Sequence, residues 1–322
     1  MEKNIQRISS ELNLTTRQVE AVVDLITEGA TIPFLARYRK ELTGSLDEVM
    51  LTSIRDRNEQ LIELENRREA ILKSIEKQGF LTPELKKLIE DGETLTELED
   101  IYLPFKPKRK TRASVAKEKG LEPLATLVFA QNKVDLERAA SGYVSVEKGV
   151  ADAQEALAGA RDIIAEWISE NQEARKNIRD LFWQGGTIHS AVIKSKAESE
   201  DAQKFKDYFD WKEPVKKAPS HRVLAMRRAE KEGFILLDVS PDEDMAIQNL
   251  EKHFVKSTSA SSEQVKLAIK DCYKRLLKPT LESEVRIETK IVGRCRSHQG
   301  VRFQSQKIAV GFTPRPKTGA CA

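Results

Sequence analysis

Apolar residues in the first hundred positions recur at three- and four-residue spacing, and the breaks between runs fall on residues that begin or end helices. Ile5, Ile8 and Leu12 give one short apolar face. Thr15 with Gln18 has capping-box spacing, and Val19, Val22, Val23 and Ile26 follow at helical intervals up to Gly29. Pro33 opens a further helix, expected to turn Phe34 and Leu35 inward and Arg37, Arg39 and Lys40 outward. Ser45 with Glu48 has capping-box spacing again. It is predicted to start a long helix through Val49, Ile54, Leu61, Leu64, Ile71 and Ile75, stopped by Gly79. Charges of alternating sign (Arg55, Asp56, Arg57, Glu63, Glu65, Arg67, Arg68, Glu69) suit a solvated helix laced with ion pairs. Thr82-Pro83-Glu84 begins the next helix, which ends at Gly92.

Helical spacing resumes at about Leu121 to Gln131, at Val150 to Ser169 with Ile163, Ile164 and Trp167 on one side, and around Ile178, Leu181, Phe182 and Trp183. The texture then changes. Gly185-Gly186 precedes Thr187 to Ile193, rich in β-branched residues, and Phe234 to Val239 lies between Gly233 and Ser240-Pro241; both read as strands. Between them the pattern predicts a helix ending at Trp211 and another from about Ser220 to Gly233. Helices over Asp242 to Phe254 and Ser262 to Leu277 follow, with Pro279 expected to break the second. The fold class is therefore mainly α, with minor β in the second half.

Composition agrees: glycine and proline number 15 and 11 in 322 residues, which favours helices. The length allows about two domains and a sizeable core. No apolar run is long enough to span a membrane, and the charged N-terminus does not read as a secretory signal. Cys272, Cys295 and Cys321 show neither CxxC nor Cys/His metal spacing, so no metal or disulfide is expected and the setting expected is cytoplasmic.

Charge is unevenly placed. The formal net charge is +3, yet Ile101 to Gly120 alone carries +6, from Lys106, Lys108, Arg109, Lys110, Arg112, Lys117 and Lys119 against Glu118. Ile291 to Ala322 carries another +6 with no Asp or Glu, which leaves the rest of the chain at −9. Pro104 and Pro107 are expected to hold the first stripe extended. A concentrated cationic stripe is what a polyanion binds, whereas the alternative is an ordinary solvated loop. Thr111 and Ser114 add donors, and either could cap a following helix. Arg37, Arg39 and Lys40 form a second cluster around Tyr38, whose expected role is core packing in preference to base stacking.

Catalysis finds little support. His189, His221, His253 and His298 have no Cys or carboxylate partner at a diagnostic spacing. Asp242, Glu243 and Asp244 follow Ser240-Pro241, where negative charge suits a helix N-terminus. Gly185-Gly186 lacks the lysine and hydroxyl residue of a phosphate loop. No cofactor is expected.

Three long strings together resemble one family: IPFLARYRKELTGSLDEV from Ile32, DIYLPFKPKRKTRASVAKEKGLEPLA from Asp100, and KFKDYFDWKEPVKKAPSHRVLAMRRAEKEG from Lys204. They are similar to the N-terminal part of the bacterial Tex proteins, transcription accessory and RNA-binding, over roughly residues 1–290. One departure is Ala225-Met-Arg-Arg-Ala-Glu230, where the family carries glycine after the arginine. The resemblance implies a helix-turn-helix-like element at Arg17–Glu28, Gly29-Ala30-Thr31 and Pro33–Arg39. It also implies a continuation into an RNase H-like domain, helix-hairpin-helix modules and an OB-fold RNA-binding domain, so this chain is expected to be a truncated form. Plausible codons for Ile291 to Gln306, read one base later, encode a string like the family's continuation. The tail is therefore expected to be a frameshift product without native structure, a genuine basic tail being the alternative.

The expected organisation is a helical domain over residues 1–200 carrying the stripe, a helical region with helix-turn-helix-like character and a short strand over 201–290, and a non-native tail over 291–322. The expected function is non-enzymatic nucleic-acid binding, RNA favoured and DNA admitted, single-stranded or duplex left open. Contacts are assigned to Arg37, Arg39, Lys40, Lys106, Lys108, Arg109, Lys110, Arg112, Lys117, Lys119 and Arg222. The alternative is a protein-interaction scaffold docking on transcription or translation machinery.

Overall fold

The first five helices are α1 (Glu2–Leu12), α2 (Thr16–Thr27), α3 (Ile32–Tyr38), α4 (Lys40–Thr43) and α5 (Glu48–Lys77) in this computed structural model, which describes residues 2–107 and 110–298. The Thr15–Gln18 capping box forms as its spacing predicts. The start of α5 differs from expectation. Gly44 and Ser45 are both left-handed, with φ of +67° and +59°, and end α4. Asp47 then caps α5, its carboxylate accepting the Met50 N–H at 2.7 Å. A carboxylate also opposes the helix dipole, which a serine hydroxyl does not.

Helix α5 is 30 residues long, roughly 45 Å at helical rise, and serves two cores. Its first half packs Leu51, Ile54 and Leu61 with Ile8, Val19, Val22, Val23 and Leu35. Its second half packs Leu64, Ile71 and Ile75 with Ile89, Leu98, Ile101 and Tyr102. Leu35 is buried as predicted, but Phe34 is 42% exposed. Arg57 on α5 grips Glu11 on α1 with both arms, at 2.7 and 2.8 Å.

The hydrogen bond from Arg57 holds the Glu11 carboxyl below its ordinary range, against the opposing effect of partial burial. A depressed carboxyl stabilises the fold above its unfolded pKa of about 4.3 and loses that contribution as pH falls through the folded value. The pair is over a third exposed on the Glu11 side, so solvent screening leaves it about 0.5 kcal/mol. Glu11→Gln is expected to lower urea-unfolding stability by that amount at pH 7, and the gap should close on acidification. A gap constant with pH would exclude this ion pair as its source.

Next come α6 (Pro83–Asp91), α7 (Leu95–Tyr102), α8 (Arg112–Glu118), α9 (Glu122–Ala130), α10 (Leu136–Ser141), α11 (Ala153–Glu170) and α12 (Gln172–Gly185). A Thr94–Glu97 capping box starts α7. Helix α11 is buried along much of its length, at Ala156, Leu157, Ala160, Ile163, Ile164, Ala165 and Ile168. Gly159 admits close approach here. A Cβ at this position would sit 2.4 Å from Leu121 Cδ1 and 3.4 Å from Ala116 Cβ.

The remaining elements are β1 (Thr187–Val192), α13 (Glu200–Gln203), β2 (Asp210–Pro214), α14 (Ser220–Lys231), β3 (Ile235–Ser240), α15 (Glu243–Phe254), α16 (Ala260–Cys272) and α17 (Lys278–His298). The strands form an antiparallel sheet in the order β2-β1-β3, with Ser190 opposite both Trp211 and Leu237. The helix expected to end at Trp211 is thus corrected to a short helix, a 3₁₀ turn and then strand β2. Pairing with β1 overrides the local pattern there. The outer edge of β3 is closed by side chains of α17: Glu282 accepts the Val239 N–H at 3.2 Å and Arg286 donates to the Leu237 carbonyl at 3.1 Å.

Pro279 does not break the chain's helical path. A π-helical turn over Tyr273–Leu277 joins α16 to α17, and Pro279 is the second residue of α17. The widened turn relieves the clash of the proline ring with the carbonyl four residues back. Two compact units interleave along the chain, Met1–Asp180 with Glu243–Pro279, and Leu181–Asp242 with the chain from Thr280. The continuous division expected near residue 200 differs because α15 and α16 return to the first unit. In that unit Gln131, left-handed and buried, donates to the Phe254 carbonyl at 2.7 Å and accepts from the Lys256 N–H at 2.8 Å, which fixes α9 to the α15–α16 loop. Residues 291–298 run on as the end of α17, and the rest of the tail lies outside the described residues.

Candidate nucleic-acid interface

The approach to the stripe is anchored by charge. Asp100 on α7, 6% exposed, accepts from Arg175 at 2.6 Å and from Arg179 at 2.9 Å, both on α12. Sequence reasoning missed Asp100, because a lone acid in a helix gives no hint of partners 75 residues away. Among the described residues the stripe is extended only in part: Lys106 and Thr111 have extended backbone. Leu103–Phe105 forms a 3₁₀ turn with Pro104 in its first turn, where a missing N–H costs nothing, and Arg112–Glu118 is helical.

Thr111 caps α8: its hydroxyl oxygen accepts the Ser114 N–H at 3.0 Å and donates to Glu166 Oε2 at 3.1 Å. Glu166, 8% exposed on α11, also lies 3.6 Å from Lys117 Nζ. Lys119 Nζ donates to Glu155 at 2.9 Å and to the Gly149 carbonyl at 2.6 Å. Glu155 is held below its ordinary range first by the Ala151 N–H and then by Lys119. Lys117 and Lys119 are therefore ion-paired within the molecule, unlike the other described cations of the stripe.

Lys106, Lys110 and Arg112 are exposed and make no ion pair among the described residues. Lys108 and Arg109 lie outside the described residues. Beside the stripe, α8 and α11 flank a cleft of about 420 Å³ lined by Lys110, Arg112, Lys119, Glu155, Gly159 and Asp162, among others. Burial pushes the Asp162 carboxyl above its ordinary value, Arg275 and, more weakly, Arg112 opposing.

Arg37, Arg39 and Lys40 are exposed at the end of α3 and start of α4, with no ion pair among the described residues. Tyr38 is 68% exposed, which overturns its expected core packing: Leu35 fills the inward position of this short helix. Arg222 lies in the other unit and is an internal group. It donates to Glu213 at 2.6 Å, and its guanidinium sits 4.7 Å over the Trp211 ring. On the same helix Arg228 pairs with Glu232, while Glu230 is held by Arg286.

Cys272 is buried, which pushes its thiol up. Among the described residues no three His, Cys, Asp or Glu side chains converge as metal ligands would, and no helix is long and apolar enough to cross a membrane.

Fold and surface together define a chiefly helical protein that displays separate cationic segments on a scaffold with a small sheet. Comparison with known proteins gives the family. Residues 2–76 match the model of the Tex-like protein N-terminal domain, and residues 131–297 match that of the Tex central region. The chain belongs to the Tex family. It is 43% identical to protein YdcI of Bacillus subtilis over 285 residues, 88% of this chain and 40% of that protein. It is 45% identical to the transcriptional accessory protein Tex of Neisseria gonorrhoeae over 251 residues, 77% of this chain and 33% of that one. A human relative, S1 RNA-binding domain-containing protein 1, is 26% identical over 298 residues, 88% of this chain and 29% of that protein. The chain thus spans well under half the length of these relatives.

Proposed function

We propose that this chain is a non-enzymatic nucleic-acid-binding protein acting in transcription, which contacts phosphates through the stripe beginning at Lys106. The observation that carries the reading is the division of the stripe. Its last two lysines are neutralised by Glu166 and Glu155, whereas Lys106, Lys110 and Arg112 keep their charge toward solvent. Phosphates are the natural partners of such uncompensated cations. The names of the Neisseria and human relatives, transcriptional accessory and RNA-binding, support the same reading. RNA is the favoured partner. The α2–α3 pair is read as helix-turn-helix-like but not as a sequence reader, since α3 has only 7 residues, roughly 10 Å of helix.

The test is a titration of the chain with duplex DNA and with single-stranded RNA across a salt series. Five contacts, from Lys106, Lys108, Arg109, Lys110 and Arg112, predict a slope of log K against log salt of about −4.5 on duplex, and these five alone give about −3.5 on single strands. A slope near zero, or no binding at low salt, would refute the reading.

A further inference from the structure

The surface of α3 and α4 carries more than charge. Leu35 and Thr43 are the buried residues of these two helices. Phe34 and Tyr38, one helical turn apart, are 42% and 68% exposed, with ring centroids 5.5 Å apart and planes tilted by 39°. The Arg39 guanidinium lies 5.7 Å from the Phe34 ring centroid. Arg37 and Lys40 stand beside them, and Glu41 is the one acid between Ile32 and Thr43.

An exposed aromatic pair on a soluble surface marks a binding place, and the flanking charge says for what. Three cations against one acid favour an anionic partner. Aromatic faces favour planar groups. Unpaired nucleotides unite both properties, whereas in a duplex the base faces are already stacked on one another.

We propose that Phe34 and Tyr38 form a stacking platform for single-stranded nucleic acid, with Arg37, Arg39 and Lys40 taking the phosphates beside the stacked bases. This rests on the nucleic-acid reading above and adds the form of strand that the second surface selects. The stripe grips phosphates of any strand; the platform requires bases free to turn outward.

The experiment uses the full chain, a single-stranded RNA carrying 2-aminopurine, and a duplex of the same sequence. Binding should change the 2-aminopurine fluorescence of the single strand, as stacking on an aromatic ring does. Tyr38→Ala and Phe34→Ala should each weaken single-strand binding about tenfold, leave duplex affinity and the salt slope unchanged, and reduce the fluorescence change. Tyr38→Trp should retain single-strand binding.

Unchanged single-strand affinity in the Phe34→Ala/Tyr38→Ala double variant would overturn the platform while leaving the stripe intact. It would assign this face to a protein partner instead. Equal losses on both substrates would overturn it too, because a stacking role cannot weaken duplex binding. Absence of a fluorescence change in the unaltered chain would do so without any variant, so a folding defect could not mask the answer. Failure of either nucleic acid to bind at all would remove the stripe reading as well.

Discussion

Asp100→Ala is expected to cost about 3–5 kcal/mol of folding stability. The carboxylate is 6% exposed and holds guanidinium groups of Arg175 and Arg179 whose side chains are 7% and 14% exposed. Truncation removes the carboxylate that faces both guanidinium groups in a site with little water to solvate them, and taking one partner out of a buried ion pair is costly. Asp100→Asn keeps the shape and an acceptor oxygen but removes the charge, so it should fall between the parent and the alanine variant. Urea unfolding at pH 7 measures all three. A loss below about 1 kcal/mol for Asp100→Ala would show that the two arginines do not depend on this carboxylate. Few domains have more than about 15 kcal/mol to lose, so the effect should be plain in a single transition.

Much of the helical architecture was legible in the sequence, because it is written locally. Thr15 with Gln18, the apolar spacing of α5 and the left-handed Gly79 after its end all read directly. The two strands bounded by glycine and proline read as well. The failures share a cause. Strand β2 exists because Trp211 pairs with Ser190, twenty-one positions earlier, and nothing local at Asp210–Pro214 says so. Pro279 suggested an end, but a π-helical turn absorbs it. Position Ser45 has the right spacing for a cap and the wrong backbone, being left-handed, while Asp47 two residues on takes the cap position.

The site divided along similar lines. The stripe's charge was visible by counting residues, but its pairing was not. Glu166 and Glu155, the groups that neutralise Lys117 and Lys119, lie on α11, about fifty and forty residues downstream. Arg222 looked free in sequence and is held by Glu213 and Trp211 across a strand and a helix. Exposure of Tyr38 was the reverse case: an aromatic in a short helix usually packs inward, and here Leu35 already fills that place.

That pairing pattern predicts two opposite outcomes from substitutions only a few residues apart. Reversing Lys106, Lys110 and Arg112 to Glu should lower affinity for duplex DNA by more than about 1000-fold at about 0.1 M salt. Each lost phosphate contact is worth roughly tenfold there through counterion release, and each new carboxylate adds repulsion. The salt slope should fall by about 2.7 in magnitude on duplex. Lys117→Gln with Lys119→Gln removes two positive charges from the same segment but from lysines already held by Glu166 and Glu155. To reach phosphate, each lysine must first leave a partly shielded carboxylate, so affinity should drop less than about threefold and the slope should hardly move. Net charge alone cannot produce that contrast, since it predicts comparable losses per charge removed. Equal effects per charge would show that the ion pairs open when nucleic acid binds, and that the stripe acts as one cationic field rather than through its unpaired cations alone.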